Sequence, residues 1–529
     1  MWPRILRARP LATILLASLA FLACSSEGVH PRYSRVVVVT FDTLNVEFTS
    51  LFDPTVDTTP ELASFARQGL LFEQAHTPVP LTLPAHTSLF TGTAPLDNGV
   101  MANGDTVPES LTTLAEVLRE AGYRTAAFPS LGVLGRQFGL DQGFETYDDR
   151  FAHPRPYRYG DEVLDLAESW IAEQGDRPIF LWVHLSDPHE PYRRRHSPPD
   201  LALDLEGAPL GTWDLASKEH FSVVFPLPPG EHQVTFRALP PPQPTASYLV
   251  LELLVPENLA PWTGAVPPPG PGEEIRLEPS WSLVLSNPGD EAVEVDLIFR
   301  GRRLGQSKAE AITEYRHEVA FVDQQLGRLS RALGDSSKTL WVLTSDHGEA
   351  LYRLGMVGHA PFVYQDQLRT LFLLRGPAIP AGRRITDRSA LSADLTPTLL
   401  DLLELASPPG ITGRSLRPCW EKPSECPPSD EWWSYGLSPT QPEEIVGLAG
   451  YRWPVKVLWQ DYANIRRRQT VDLTRSPDEL AGGDGGSDGE VLERRLERQL
   501  VRHRRALDER AKEELTDEQR DLLRSLGYL

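Results

Sequence analysis

Arg35-Val-Val-Val-Val-Thr40 offers apolar side chains to both sides of an extended chain, a pattern that is stable within a sheet covered on both faces. Comparable runs occupy 124–128, 178–184, 340–344 and 371–374, each short and rich in β-branched, aliphatic or aromatic residues. Between them, Thr59-Pro-Glu-Leu-Ala-Ser-Phe-Ala-Arg67, the stretch from Ser110 to Gly122 and that from Glu314 to Leu329 carry apolar residues at helical spacing behind polar starts. Such alternation predicts an α/β fold with a mainly parallel sheet flanked by helices.

The rhythm breaks between 197 and 307. Sixteen of the chain's 48 prolines fall between residues 201 and 290, and short β-like runs such as Tyr248-Leu-Val-Leu-Glu-Leu-Leu-Val255 replace the helical spacing. This predicts an inserted, sandwich-like β domain, with a long ordered excursion lacking its own core as the alternative. The insert would divide one catalytic domain into parts 34–196 and 308–475. A Gly/Asp-rich stretch at 476–489 reads as a flexible linker, and 490–529 as a charged helical tail.

The 529 residues hold 52 Lys+Arg against 73 Asp+Glu, a net charge of −21, which argues against nucleic acid as a partner. Residues 1–23 place basic residues before a short apolar run, the form of an export signal, and the run is too short to span a bilayer well. Cys24, directly after Ala23, resembles the lipidated cysteine of a bacterial lipoprotein; simple secretion is the alternative. The expected location is the periplasm or outer envelope, with the membrane reached only through that lipid. Cys419 and Cys426 read as one local disulfide in an oxidising compartment.

In open α/β sheets the working site lies beyond the carboxyl ends of the strands. Asp42 follows the first run, Asp187 and His189 follow the third, and Asp346 and His347 follow the fourth. One such Asp would be an ordinary helix cap; three strands ending this way point to a metal centre. Mixed carboxylate and imidazole donors suit Zn²⁺ or Mn²⁺, or Fe²⁺, better than Ca²⁺. In Pro80-Leu-Thr-Leu-Pro-Ala-His-Thr-Ser-Leu-Phe-Thr-Gly92, Thr82 stands just before a proline at the expected start of a helix, where an anion is also favoured.

With that segment the chain resembles the sulfatase branch of the alkaline phosphatase superfamily. The resemblance extends through Asn98-Gly-Val-Met-Ala-Asn103-Gly, His184-Leu-Ser-Asp-Pro-His189-Glu-Pro-Tyr, Thr344-Ser-Asp346-His347-Gly-Glu, Gly358-His359 and a terminal Leu-Gly-Tyr. It implies that Asp42, Asp346, His347 and the Thr82 oxygen hold a divalent ion. It further implies that His189 and His359 contact the transferred group, protonate the leaving group, or form a second metal site with Asp187; His86 and Asn103 would bind substrate. A plain loop histidine is the other reading of His359.

Two departures from the sulfatase pattern bear on the substrate. Those enzymes carry Cys or Ser, converted to formylglycine, where this chain has Thr82. Thr-Leu-Pro-Ala-His is closer to the nucleotide pyrophosphatase/phosphodiesterase branch, in which a threonine attacks phosphorus. Thr43 and His347 replace an Asp and, in many members, an Asn. The expectation is an exported metal-dependent hydrolase of phosphoesters, phosphodiesters or phosphonates acting through Thr82. The alternatives are sulfuric ester hydrolysis or a non-catalytic envelope-binding lipoprotein.

Overall fold

The computed structural model describes residues 33–523 apart from 152–155, 191, 193–200, 214–219, 239–247, 255–273, 278–279, 305–307, 335–336, 357, 428–430, 440, 463–464, 484, 510–514, 517–518 and 521. The expected signal segment, Cys24 and the terminal Leu-Gly-Tyr lie outside the described residues.

A nine-stranded sheet organises the α/β part. Its spatial order is Arg369–Thr370, Leu70–His76, Phe372–Arg375, Thr339–Ser345, Arg35–Phe41, Ile179–Leu185, Arg124–Phe128 and Thr146–Tyr147, with Arg383–Leu391 also paired to Leu70–His76. From Thr339–Ser345 to Thr146–Tyr147 the strands run parallel, and Phe372–Arg375 is antiparallel to its neighbour. Val36, Val38 and Trp182 pack on one face with Leu83, Leu89 and Phe90. Val37, Val39 and Phe41 pack on the other with Val319, Val322 and Leu326. Each fully buried side chain of this kind contributes roughly 1.5–3 kcal/mol, which is why the central strands are apolar on both sides.

The helix Thr82–Thr91 lies on the first of these faces. Leu81, in an extended conformation, precedes it, and Gly92 ends it with φ +67, a left-handed conformation that glycine adopts without strain. Asn103 lends its Oδ1 to the Leu83 N–H at 2.9 Å, the service that an N-cap side chain would otherwise perform.

The excursion after Ile179–Leu185 has its own core. One four-stranded antiparallel sheet supplies Leu201, Leu203, Val234, Phe236, Leu283 and Leu285, and a second supplies Phe225, Leu227 and Val295, packed face to face. The inserted β sandwich and the α/β sheet are thus as expected. Its chain leads into helix Lys308–Leu333.

A further four-stranded antiparallel sheet, Trp432–Leu437, Ile445–Arg452, Val455–Tyr462 and Ile465–Asp472, was not anticipated. The helix Gly486–Glu509 packs on it, setting Leu492, Leu496 and Leu500 against Leu437, Leu448 and Val457. The glycine-rich stretch expected as a flexible linker is tied down, with the Gly483 N–H donating to Thr470 O at 2.7 Å, and the helix begins within it at Gly486. Beyond the helix, Leu523 is fully buried; a Cβ at Gly104 would meet it at 2.8 Å, and one at Gly132 would meet Leu522 at 2.6 Å. Cys419 and Cys426 form the expected disulfide. Among the described residues no helix is long and apolar enough to cross a membrane.

Candidate active site

Phe41 pairs with Ser345, and Thr40 with both Thr344 and His184, so three parallel strands end level. The next residues, Asp42 and Asp346, leave the sheet together, followed by His347. One ligand atom from each of these three lies within 4.8 Å of the others, and all three residues are buried.

Each ligand is tied by one atom and leaves another without a hydrogen-bond partner. Asp346 Oδ1 accepts from the N–H groups of His347 (2.7 Å) and Thr43 (3.3 Å), and Oδ2 is unpartnered. His347 Nδ1–H donates to Gly348 O at 3.1 Å, and Nε2 is unpartnered. Asp42 Oδ2 faces His184 Nε2 at 3.2 Å, and Oδ1 is unpartnered. Buried polar atoms without partners are costly, and two carboxylate oxygens and one imidazole nitrogen facing one another form a donor set for a divalent ion. The residues therefore fit the expected metal, with mixed oxygen and nitrogen donors.

Electrostatics agree with that fit. Burial and the charge of Asp42 hold the Asp346 carboxyl well above the carboxylate range. Burial would raise Asp42 as well, but the hydrogen bond from His184 and the neighbouring rings of His189 and His347 outweigh it and keep Asp42 low. Burial and His359 keep His347 neutral well below the ordinary imidazole range, the form that binds metals.

Thr82 is fully buried at the first position of its helix. The turn it opens lies close to the ligands, since His86 Nδ1 is 2.8 Å from Thr82 O and 3.8 Å from Asp346 Oδ2. His86, expected to bind substrate, has both ring nitrogens engaged within the fold. Its Nδ1–H donates to Thr82 O, and its Nε2 accepts from the Thr40 hydroxyl at 3.1 Å; Thr40 in turn accepts from Trp182 Nε1. Burial holds this ring neutral, with a pKa of about 3, so His86 braces the helix start. Asn103 also serves the helix through Oδ1, while its Nδ2 is buried without a hydrogen-bond partner.

The remaining histidines gather beside His347. The His359 ring lies 4.5 Å from that of His347 and 5.0 Å from that of His189. His189 Nδ1–H donates to Glu190 O, and burial lowers its proton affinity. Burial pulls His359 down too, but the Glu349 carboxylate, 3.3 Å from Nδ1, raises it above the usual value. Asp187 does not join them. Both of its oxygens accept from the Gly160 N–H, at 3.0 and 3.1 Å, at the start of helix Gly160–Gln174, and burial raises its carboxyl to about 7. Among the described residues no second metal cluster of the expected kind forms.

Four supporting residues escaped the sequence reading. Three are His184, Ser130 and Glu349; the fourth, Tyr315, accepts from the Asn45 N–H and donates to Thr43 O, both at 2.7 Å. Those bonds hold Thr43 at φ +54, a left-handed conformation unusual for threonine. Only the pairing of acidic and histidine residues after strands was a usable signal, and none of these four displays it.

Residues 34–405 match the family model Sulfatase. The chain is 24% identical over 470 residues to an N-acetylglucosamine-6-O-sulfatase of Bacteroides thetaiotaomicron, covering 80% of this chain and 77% of the relative. It is also 24% identical over 475 residues to a choline-sulfatase of Rhizobium meliloti, covering 80% and 76%. The phosphonate monoester hydrolase of Agrobacterium radiobacter has a similar fold, with a TM-score of 0.55, 18% identity and coverage of 89% of this chain and 96% of that one. The chain belongs to the sulfatase family of hydrolases.

Proposed function

We propose that the chain is a divalent-metal-dependent hydrolase of anionic esters, with sulfuric esters as its first substrate class. The observation that carries the metal-dependent part is the trio of half-tied ligands, Asp42, Asp346 and His347, beside the start of the Thr82 helix. Sulfate comes first because a family model over most of the chain and two sulfatases covering 80% of it support it more strongly than Thr82 supports phosphorus. That reverses the order expected from the nucleophile position. Phosphonate or phosphodiester hydrolysis is the second reading, favoured by Thr82 itself and by the oxygen and nitrogen donor set.

An ion held by Asp42, Asp346 and His347 would supply positive charge that draws in an anionic ester and eases loss of a hydroxyl proton. Thr82 would then form the new bond from its hydroxyl oxygen to sulfur or phosphorus as the ester oxygen departs. His359, whose proton affinity Glu349 raises, would give that oxygen its proton, and His189 would face the transferred group. Attack by water would release the anion and restore Thr82. Export and lipid attachment through Cys24 belong to the same proposal, supported by the basic and apolar run before it.

The test is a turnover panel of 4-nitrophenyl sulfate, 4-nitrophenyl phosphate, bis(4-nitrophenyl) phosphate and a phenyl phosphonate ester, with Zn²⁺ or Mn²⁺. The highest kcat/KM on the sulfate is expected. A preference for a phosphorus ester would establish the second reading. Retention of metal with no turnover of any ester would leave a binding protein. Thr82→Cys, made in a host with formylglycine-generating enzyme, should gain sulfatase activity if the pocket is built for sulfate.

A further inference from the structure

His184 is the last residue but one of the strand Ile179–Leu185 and is fully buried, yet it is not part of the candidate metal-ligand trio. Its partners define its protonation. The backbone N–H of Ser130 points at Nδ1 from 3.2 Å, and an amide N–H can only donate, so Nδ1 carries no proton. The Ser130 hydroxyl, 2.6 Å from the same nitrogen, donates as well. The ring's single proton is therefore on Nε2, 3.2 Å from Asp42 Oδ2. That bond consumes Oδ2 and leaves Oδ1, the oxygen without another partner, for the ligand cluster.

We propose that His184 is a positioning residue which fixes the oxygen that Asp42 presents to the metal, and that Ser130 fixes the ring form needed to do so. The proposal rests on the metal-site reading above. Asp346 is oriented by backbone N–H groups, which no substitution of a side chain removes. Asp42 depends on this one side-chain donor among the described residues, because its other oxygen has none. Without the donor the carboxylate would rotate between two equivalent positions, and binding an ion would have to halt that rotation. Groups that orient metal ligands typically change affinity by about ten- to a hundredfold when removed.

The loop carrying Ser130 is itself anchored. Arg158 N–H donates to Ser130 O at 2.8 Å, and the Gly132 N–H donates to Pro156 O at 2.8 Å. Leu522 packs where a side chain at Gly132 would stand. The donor at Ser130 thus belongs to a rigid support, and its reach to the ring is built into the fold.

Affinity of the apo protein for Mn²⁺ alone, measured by calorimetry and by the Mn²⁺ spin-resonance signal, tests this without turnover. His184→Met fills a similar volume without a donor and should weaken binding about ten- to a hundredfold. His184→Gln restores an N–H and should recover most of that loss. Ser130→Ala keeps the backbone N–H and the ring, and should weaken binding less than His184→Met. Apo-protein melting is measured for each variant. A His184→Met protein that melts like the parent and binds Mn²⁺ equally well would overturn the proposal, as would equal weakening in the Met and Gln variants. If a His184 variant does not fold, unchanged affinity in Ser130→Ala overturns the role given to Ser130 and to the ring form. Failure of the parent itself to bind Mn²⁺ or Zn²⁺ would overturn the metal reading, and this proposal with it.

Discussion

Asp42 and Asp346 stand side by side because Phe41 and Ser345, the residues before them, are register partners in adjacent parallel strands. Burial and the Asp42 charge push the Asp346 carboxyl upward, so the pair is poorly matched until positive charge arrives. Metal removal should therefore be felt by the whole sheet. A ligand that binds the folded form at a hundredfold excess over its Kd stabilises by about 2.7 kcal/mol. Chelation should lower the melting temperature by several degrees, and Asp42→Asn or Asp346→Asn should remove the response to added Mn²⁺ or Zn²⁺. Calorimetric scans with and without chelator check this.

Thr82→Ala should lower kcat by about a thousandfold or more, as loss of a nucleophile does, while bound metal stays measurable by elemental analysis. Thr82→Ser keeps the hydroxyl and should stay within about tenfold of the parent. Parental turnover by a metal-loaded Thr82→Ala protein would show that water attacks the ester directly.

Glu349 raises the proton affinity of His359, so its loss should be felt most where the leaving group most needs a proton. His359→Ala should cost about 10²–10⁴-fold in kcat on an ester of a poor leaving group, and much less on a 4-nitrophenyl ester. Glu349→Gln should show the same dependence with a smaller loss and unchanged metal content. An equal loss on both esters would deny His359 the role of proton donor.

His503, buried against Tyr435 with Nδ1–H donating to Gln499 O, is pushed down by burial to about 4 from an ordinary 6.5. The unfolded chain therefore binds the proton first as pH falls, and stability falls with it. The loss begins near pH 6.5 and is complete near pH 4, reaching about 3 kcal/mol for this group at 1.36 kcal/mol per pH unit. His503→Leu should lose less stability than the parent between those pH values. Denaturant unfolding at pH 7, 5.5 and 4.5 gives the comparison, and parallel curves would contradict it.

Cys24 should carry lipid in the native host. Intact-mass analysis of the mature N-terminus checks this, and an unmodified terminus beginning at another residue would exclude it.

The readable part of the molecule was the part carried by local pattern. Buried parallel strands are apolar throughout, so the runs around Val36–Val39 and Leu340–Leu343 announced themselves, as did the candidate ligands Asp42 and Asp346, each one residue past the end of its strand. Ile465-Arg-Arg-Arg-Gln-Thr470 shows why the last sheet was missed. Its strand is mostly polar, and its neighbours bury their apolar face against Leu492 and Leu496 of a helix that comes later in the chain. His86 and Asp187 have the composition of site residues, but one is enclosed by Thr82 and Thr40 and the other receives a helix N–H; pairings of that kind depend on packing and have no spacing in the sequence. His184 was hidden inside a strand motif for the same reason, since only register brings it to Asp42.

Thr43 and Asp346, joined by one hydrogen bond, are 303 residues apart. Closing so long a loop is slow and brings no reward until distant strands have paired. A chain cut short, or caught halfway to its native form, can hold Asp42 without Asp346 and has no grip on an ion. In the proposed site an ion would therefore be captured only once the central sheet is complete, and its binding would report that completion.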